Sequence, residues 1–239
     1  MPERLYTDLA PWWPVLSPPH EYVDEAEYAL ALLSDAADAP LTSLLELGCG
    51  GGHMAHWFPP ELTLTLLDLS PEMIEVSRSL NPTREHLLGD MRTVRLGRTF
   101  DAVLLHDAVM YLTTEDDLRA ALVTVAAHLR PGGAALILPD CVAEDWQPGT
   151  EAVAHALGER QASMLEWQHS ASGTRFLVDF AFLLKDGEGP VQSAHETHVH
   201  GLFPRETWWR LLGEVGLTLV PPALPPPHER YGEILLVAK

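Results

Sequence analysis

The stretch LLELGCGGGHMAHWF, residues 44–58, constrains the fold of this chain more than any other. An apolar run ends at Glu46 and breaks into Gly48, Gly50, Gly51 and Gly52 before a helix-compatible pattern resumes. Glycine has no Cβ and tolerates positive φ, so the cluster marks a sharp turn or a ligand lying against the main chain. Strand, glycine loop and helix in that order open a nucleotide-binding α/β fold.

The flanking sequence keeps that rhythm. Residues 21–38 repeat apolar positions at helical spacing ahead of the strand SLLEL at 43–47. The run LTLTLLDL at 62–69 predicts a strand, and Ser70, Pro71 and Glu72 supply a cap, a first-turn proline and an acid for a helix through Leu80. HLLGD at 86–90 and TFDAVLLH at 99–106 read as further strands. Thr114 with Glu115, Asp116 and Asp117 opens a helix whose Leu118, Leu122, Val125 and Leu129 share a face, and Arg130-Pro131-Gly132-Gly133 stops it. The uninterrupted AALILP that follows suits a parallel strand covered on both sides. Strand alternating with helix over some hundred residues predicts a doubly wound α/β sheet.

After Asp140 the pattern changes. Residues 141–163 read as loop plus one helix; MLEWQHS, TRFLVDFAFLL and VQSAHETHVHGLF read as three strands of an inserted antiparallel sheet, joined at SASG and KDGEGP. Pro204 opens a last helix through Val215, and the strands LTLV at 217–220 and GEILLVAK at 232–239 finish the chain across a stiff PPALPPP link. One domain over 1–239 is expected: a helical cap (1–40), a cofactor-binding core (41–140), a substrate-side sheet (141–203), then the C-terminal helix and strands (204–239).

Charge narrows the partners. Fifteen basic against thirty-four acidic residues, a net −19, is a poor grip for phosphate backbones or anionic membrane, so neither nucleic acid nor membrane is expected. Two cysteines imply no disulfide framework, and the start MPERLYTDLAPWWP has no basic region before an apolar core, so the expected location is cytoplasmic. The expected state is a monomer or homodimer.

A glycine loop after the first strand and an acid ending the second, Asp68, form a nucleoside-binding constellation: the carboxylate accepts from ribose hydroxyls while the glycines let the ligand touch backbone. The pattern alone leaves a nicotinamide dinucleotide and S-adenosylmethionine open. His53 in the third slot of G-x-G-x-x-G, counted from Gly48, weakens the dinucleotide.

ELGCGGG, Asp68 in LLDLSPEM, Gly89-Asp90, FDAVLLHDAVMYL and LRPGGAALIL, in this order, resemble the class I S-adenosylmethionine-dependent methyltransferases. The resemblance implies a Rossmann-like seven-stranded sheet and S-adenosylmethionine as cofactor. It implies Glu46, Gly48, Gly50 and Gly52, with Cys49 between them, at the methionine portion; Asp68, followed by Leu69, at the ribose; and Asp90, followed by Met91, at the adenine. Tyr6 and Tyr22 resemble tyrosines that related enzymes place over the cofactor. The inserted sheet before HGLFPRETWWRLLGEVGL is similar to enzymes that methylate amino groups of nucleotide-linked sugars. The function implied is methyl transfer to a small-molecule nitrogen or oxygen; the alternatives are a catalytically silent cofactor-binding protein and an NAD-dependent oxidoreductase.

In-line displacement at a sulfonium methyl needs alignment and a dry site, and a hydroxyl acceptor also needs a base. Candidates at the carboxyl edge of the sheet are His106, also near the cofactor, Asp107 and Tyr111. His198 and His200 share one face of their strand and join the pocket if the insert covers it, which makes His198 a further catalytic candidate near the nucleophile. A neutral His106 as base predicts a rate rising through pH near 6.5. No metal is expected: two histidines of HETHVH could suggest one, but a site needs at least a third ligand, and they read as ordinary surface histidines.

Overall fold

The computed structural model describes residues 3–226 and 232–239. Three short turns and helix α1 (Trp13–Leu16) lead into α2 (Val23–Ala36). The core then alternates β1 (Ser43–Leu47), β2 (Thr63–Asp68), α3 (Pro71–Leu80), β3 (Glu85–Leu88), β4 (Phe100–His106), α4 (Glu115–His128) and β5 (Leu129–Leu138). Strands β6 (Gly149–Leu157), β7 (Arg160–Ser172), β8 (Arg175–Asp186) and β9 (Gln192–Gly201) follow, then α5 (Arg205–Glu214), β10 (Thr218–Leu219) and β11 (Leu235–Ala238).

The main sheet runs β10-β11-β5-β4-β1-β2-β3, parallel except that β11 is antiparallel to both its neighbours. Chain order reverses between β1 and β4, so the carboxyl ends of these strands flank the cleft where such sheets hold ligands. Pleating sorts the apolar runs onto two faces. Leu45, Leu47, Val103, Leu105, Ala135 and Ile137 pack with α4, α5 and the inserted sheet, whereas Leu44, Leu64, Leu66, Ala102, Leu104 and Leu136 pack under α2.

The capping chemistry read from the sequence is present. Ser70 Oγ accepts from the Met73 N–H, and Thr114 Oγ1 from the Asp117 N–H. Each satisfies one of the donors a helix start leaves open.

Two expectations are corrected. The insert has four strands, and the helix expected within 141–163 does not form. Instead β6 pairs with β7 over nine residue pairs across a tight turn at Gly158, whose φ is 61°. Composition hid this strand: TEAVAHAL holds good helix formers at an exposed sheet edge, where cross-strand pairing overrides propensity. Behind the glycine loop, the expected helix is one 3-10 turn, Ala55–Trp57. Pro59 and Pro60 end it, and His53 turns inward to stack on Trp13, ring centroids 6.1 Å apart. The proline-rich link at 221–227 extends into residues outside those described. No helix among the described residues is long and apolar enough to cross a membrane.

Candidate active site

The glycine turn is held from below. Gly48 and Cys49 both donate to the Leu67 carbonyl, at 2.7 and 2.9 Å, which ties β1 to the end of β2. Gly48 has φ 76°, and a Cβ there would lie 2.3 Å from the Ala108 Cβ, so its bareness serves packing. Gly50, at φ 51°, has nothing within 4 Å of where a Cβ would sit, which leaves that side of the turn open. The Cys49 side chain is spent in the core, where burial pushes its thiol up. Only its backbone lines the turn.

Two acids stand over this turn. Asp68 Oδ2 accepts from the Gly50 N–H and Oδ1 from the Ser70 N–H, both at 2.8 Å. A carboxylate has about four acceptor positions, so capacity remains for ribose hydroxyls. Glu46 is 3% exposed, and its Oε2 has no partner. Desolvation pushes its carboxyl up to about 8, with Asp68 adding and His106 opposing. A buried carboxylate oxygen lacking a donor fits an ammonium, such as the one on the methionine portion of S-adenosylmethionine. The residues fit this cofactor, which supplies a methyl group on sulfonium.

The remaining cofactor candidates are more mixed. Leu69 is 67% exposed on the turn after β2. Met91 reaches back to the glycine turn, its Cε 3.1 Å from the position of a Gly48 Cβ. Asp90 is gripped by Arg92 through Nε at 3.0 and 3.1 Å and Nη2 at 2.6 Å, and Arg92 also binds Asp117 at 2.7 Å. That guanidinium holds Asp90 below its usual range. Tyr22 bonds Ser17 at 2.7 Å and presents its ring edge to His53 and His106.

At the end of β4, His106 Nε2 lies 2.9 Å from Asp107 Oδ1 and 3.3 Å from Glu25 Oε1. Burial pulls this imidazole down, but the two carboxylates raise it further, so its pKa is well above the ordinary histidine value. The neutral His106 expected from the sequence is therefore corrected to a charged one. Asp107 itself holds φ 46°, a strained value that aims its side chain back at the histidine. Asp140, past the end of β5, is exposed, and desolvation with the neighbouring Asp107 carboxylate pushes its own carboxyl up.

A second cluster joins three distant segments. Tyr6 and Tyr111 hydroxyls are 2.7 Å apart, Tyr111 is 2.7 Å from His198 Nδ1, and His198 Nε2 is 3.1 Å from Glu196 Oε1. The last contact is an ion-pair distance at which the ring N–H is poorly aligned. His198 and His200 are both buried on the inner face of β9, which corrects their reading as surface histidines; His195 is exposed. Sequence reasoning missed Glu25, Asp140 and Glu196, although Glu196 stands two residues from His198, on the same strand face.

Fold and site together define an α/β enzyme that binds a nucleoside cofactor at its glycine turn. Residues 44–133 match the family profile described as a methyltransferase domain. A dTDP-3-amino-3,6-dideoxy-alpha-D-glucopyranose N,N-dimethyltransferase of Streptomyces fradiae is 30% identical over 80% of this chain and 75% of its own length. The dTDP-3-amino-3,4,6-trideoxy-alpha-D-glucopyranose N,N-dimethyltransferase of Streptomyces venezuelae is 30% identical over 82% and 86%. Among solved structures, DesVI of Streptomyces venezuelae superposes with a TM-score of 0.82 at 26% identity, covering 91% of this chain and 92% of that one. An amino pentose methyltransferase of Micromonospora echinaspora with S-adenosylmethionine bound gives 0.75 at 26% identity over 90% of each. The chain belongs to the S-adenosylmethionine-dependent methyltransferases, enzymes that here transfer a methyl group to a small-molecule nitrogen or oxygen acceptor.

Proposed function

We propose that the acceptor is the primary amine of a nucleotide-linked amino sugar and that it is methylated twice. The observation that carries this reading is the acid lining beyond β4 and β5. Against the upward pull of desolvation, His106 holds Asp107 low, its side chain 55% exposed, while desolvation and Asp107 push up the exposed Asp140 beside it. Such a pair receives an ammonium group with matched charge and takes up its proton as the amine becomes nucleophilic. The cofactor is held by Glu46, the glycine turn and Asp68, and Tyr6 and Tyr22 close over it. Asp107, Tyr111 and His198 face the acceptor, with residues 41–140 as the cofactor core and the four-stranded sheet as its roof. His106 serves as the fixed cation that orders Glu25 and Asp107. The two cysteines are free, which suits a cytoplasmic setting.

The test incubates the protein with S-adenosylmethionine and dTDP-3-amino-3,6-dideoxy-alpha-D-glucopyranose, the compound in the name of one relative. Mass spectrometry is expected to show a dimethylated product. Turnover of hydroxyl acceptors alone, with amino sugars untouched, would sink the reading.

A further inference from the structure

Tyr6 comes from the N-terminal segment, Tyr111 from the turn after β4, and His198 and Glu196 from β9, yet their polar atoms form one continuous line. His198 is fully buried, and Tyr111 occupies its Nδ1. Glu196 is 10% exposed, and its two oxygens accept the backbone N–H groups of Arg4 and Leu5 at 2.6 and 2.9 Å. A carboxylate so fixed stays ionised, and it holds one charge against the outer edge of the imidazole. Glu166 on β7 also interacts electrostatically with His198, the Phe180 ring lies 4.7 Å from its imidazole, and His200, whose pKa burial pulls down, lies 6.2 Å away. At its inner end the line reaches the cleft. Tyr6 lies near enough to feel the charges of both Asp68, the ribose acid, and Asp107, the acceptor acid.

These contacts set a direction. With the His198 proton on Nε2 toward Glu196, Nδ1 must accept from the Tyr111 hydroxyl, which then accepts from Tyr6. The oxygen at the inner end, on Tyr6, is left with free lone pairs. We propose that Tyr6, Tyr111 and His198 form a proton exit for the acceptor amine and that Glu196 is the positioning residue that fixes its direction. This rests on the amine reading given above.

The step balances without any redox partner. After methyl transfer the product nitrogen carries one proton too many. That proton passes to the Tyr6 oxygen as the Tyr6 hydroxyl proton shifts to Tyr111 and the Tyr111 proton shifts to His198 Nδ1. The result is a neutral methylamine and an imidazolium facing the Glu196 carboxylate, the arrangement a carboxylate–histidine pair stabilises in other proton-handling sites. Once product leaves, the same line returns the proton to entering water. The acid pair already holds the proton of the entering ammonium, and the first transfer leaves the nitrogen protonated again, so a second transfer to the same nitrogen needs this further exit.

Glu196→Gln keeps the shape but removes the charge and one of the two oxygens that accept the Arg4 and Leu5 N–H groups, and Tyr111→Phe cuts the line. Each variant is expected to accumulate monomethylated product, with the second transfer slowed about a hundredfold relative to the first, cofactor affinity unchanged and Tm lowered by roughly a few degrees, because each leaves a buried group without its hydrogen-bond partner. The double variant is expected to be no slower than either single one, because both break the same path. Additive losses, or unaltered dimethylation in Glu196→Gln, overturn the proposal. An activity-free reading uses ¹⁵N-histidine NMR of the wild-type protein at neutral pH. His198 is expected to carry its proton on Nε2 with Nδ1 bare, and a proton on Nδ1 overturns the exit even if no amino sugar is turned over. A protein inactive on amino sugars but with the expected tautomer would count against the acceptor, not the line.

Discussion

The two ends of the cleft are built from different materials. At the cofactor end the contacts are main-chain ones: a bare glycine turn, two N–H groups fastened to Leu67, and carboxylates standing singly over the backbone. At the acceptor end they are between side chains, brought from segments 105 and 87 residues apart in the Tyr6–Tyr111 and Tyr111–His198 contacts. Backbone-built sites tie binding to folding, so one substitution damages both. Side-chain relays separate the two, because a hydroxyl can be removed while the rings that fill the space remain.

The comparison is open to attack, most forcefully at Gly48. Gly48→Ala forces a side chain into a positive φ and against Ala108, which is expected to cost about 2 to 4 kcal/mol of stability together with cofactor binding. Denaturant melts with and without S-adenosylmethionine check both, and a stable variant that binds normally would break the link. Asp68→Ala is expected to cost roughly 1 to 3 kcal/mol of cofactor affinity by calorimetry, and some loop order as well, because the Gly50 N–H loses its acceptor.

A subtler effect lies in Glu46. The unfolded chain releases this proton near 4.5 and the folded one near 8, so across that window the unfolded state is progressively favoured as pH rises. Glu46→Gln should therefore raise the apo Tm at pH 8 by about 2 to 4 °C, for about 1 kcal/mol, while weakening the response of Tm to S-adenosylmethionine. A drop in apo Tm would show that the carboxylate is ionised and paired in the free protein. His106 gives the smallest signal. Its raised pKa keeps its stabilising charge intact through 6.5, to be lost only as pH climbs past the raised value, so kcat/KM should change no more than about twofold on its account between pH 6 and 7. A clear inflection near 6.5 that disappears in His106→Ala would restore the neutral base.

The same contrast explains what could be read from the chain. The cofactor end is encoded locally: residues 44–52 carry strand and turn, and Asp68 ends the next strand, so periodicity and glycine spacing place them. The relay is not. His198 and Glu196 alternate correctly on β9, but nothing in the sequence aligns them with Tyr111 or Tyr6, which meet only after β8 and the N-terminal segment pack into one core. The charge on His106 was hidden for a similar reason. Glu25 lies on α2, and its approach to β4 depends on how that helix crosses the sheet. Strand β6 escaped because its stability comes from nine partners on β7, whereas its own residues favour a helix.

The single 3-10 turn at Ala55–Trp57 changes the field at the glycine loop. A long helix beginning there would aim about half a positive elementary charge at the ligand, an attraction for the pyrophosphate of a dinucleotide and a repulsion for sulfonium and ammonium together. With that macrodipole cut short, and with Glu46 holding an oxygen that no donor satisfies, the sign of the loop reverses and cations are drawn in. Choice between nucleoside cofactors thus resides in helix length as well as in the ribose acid.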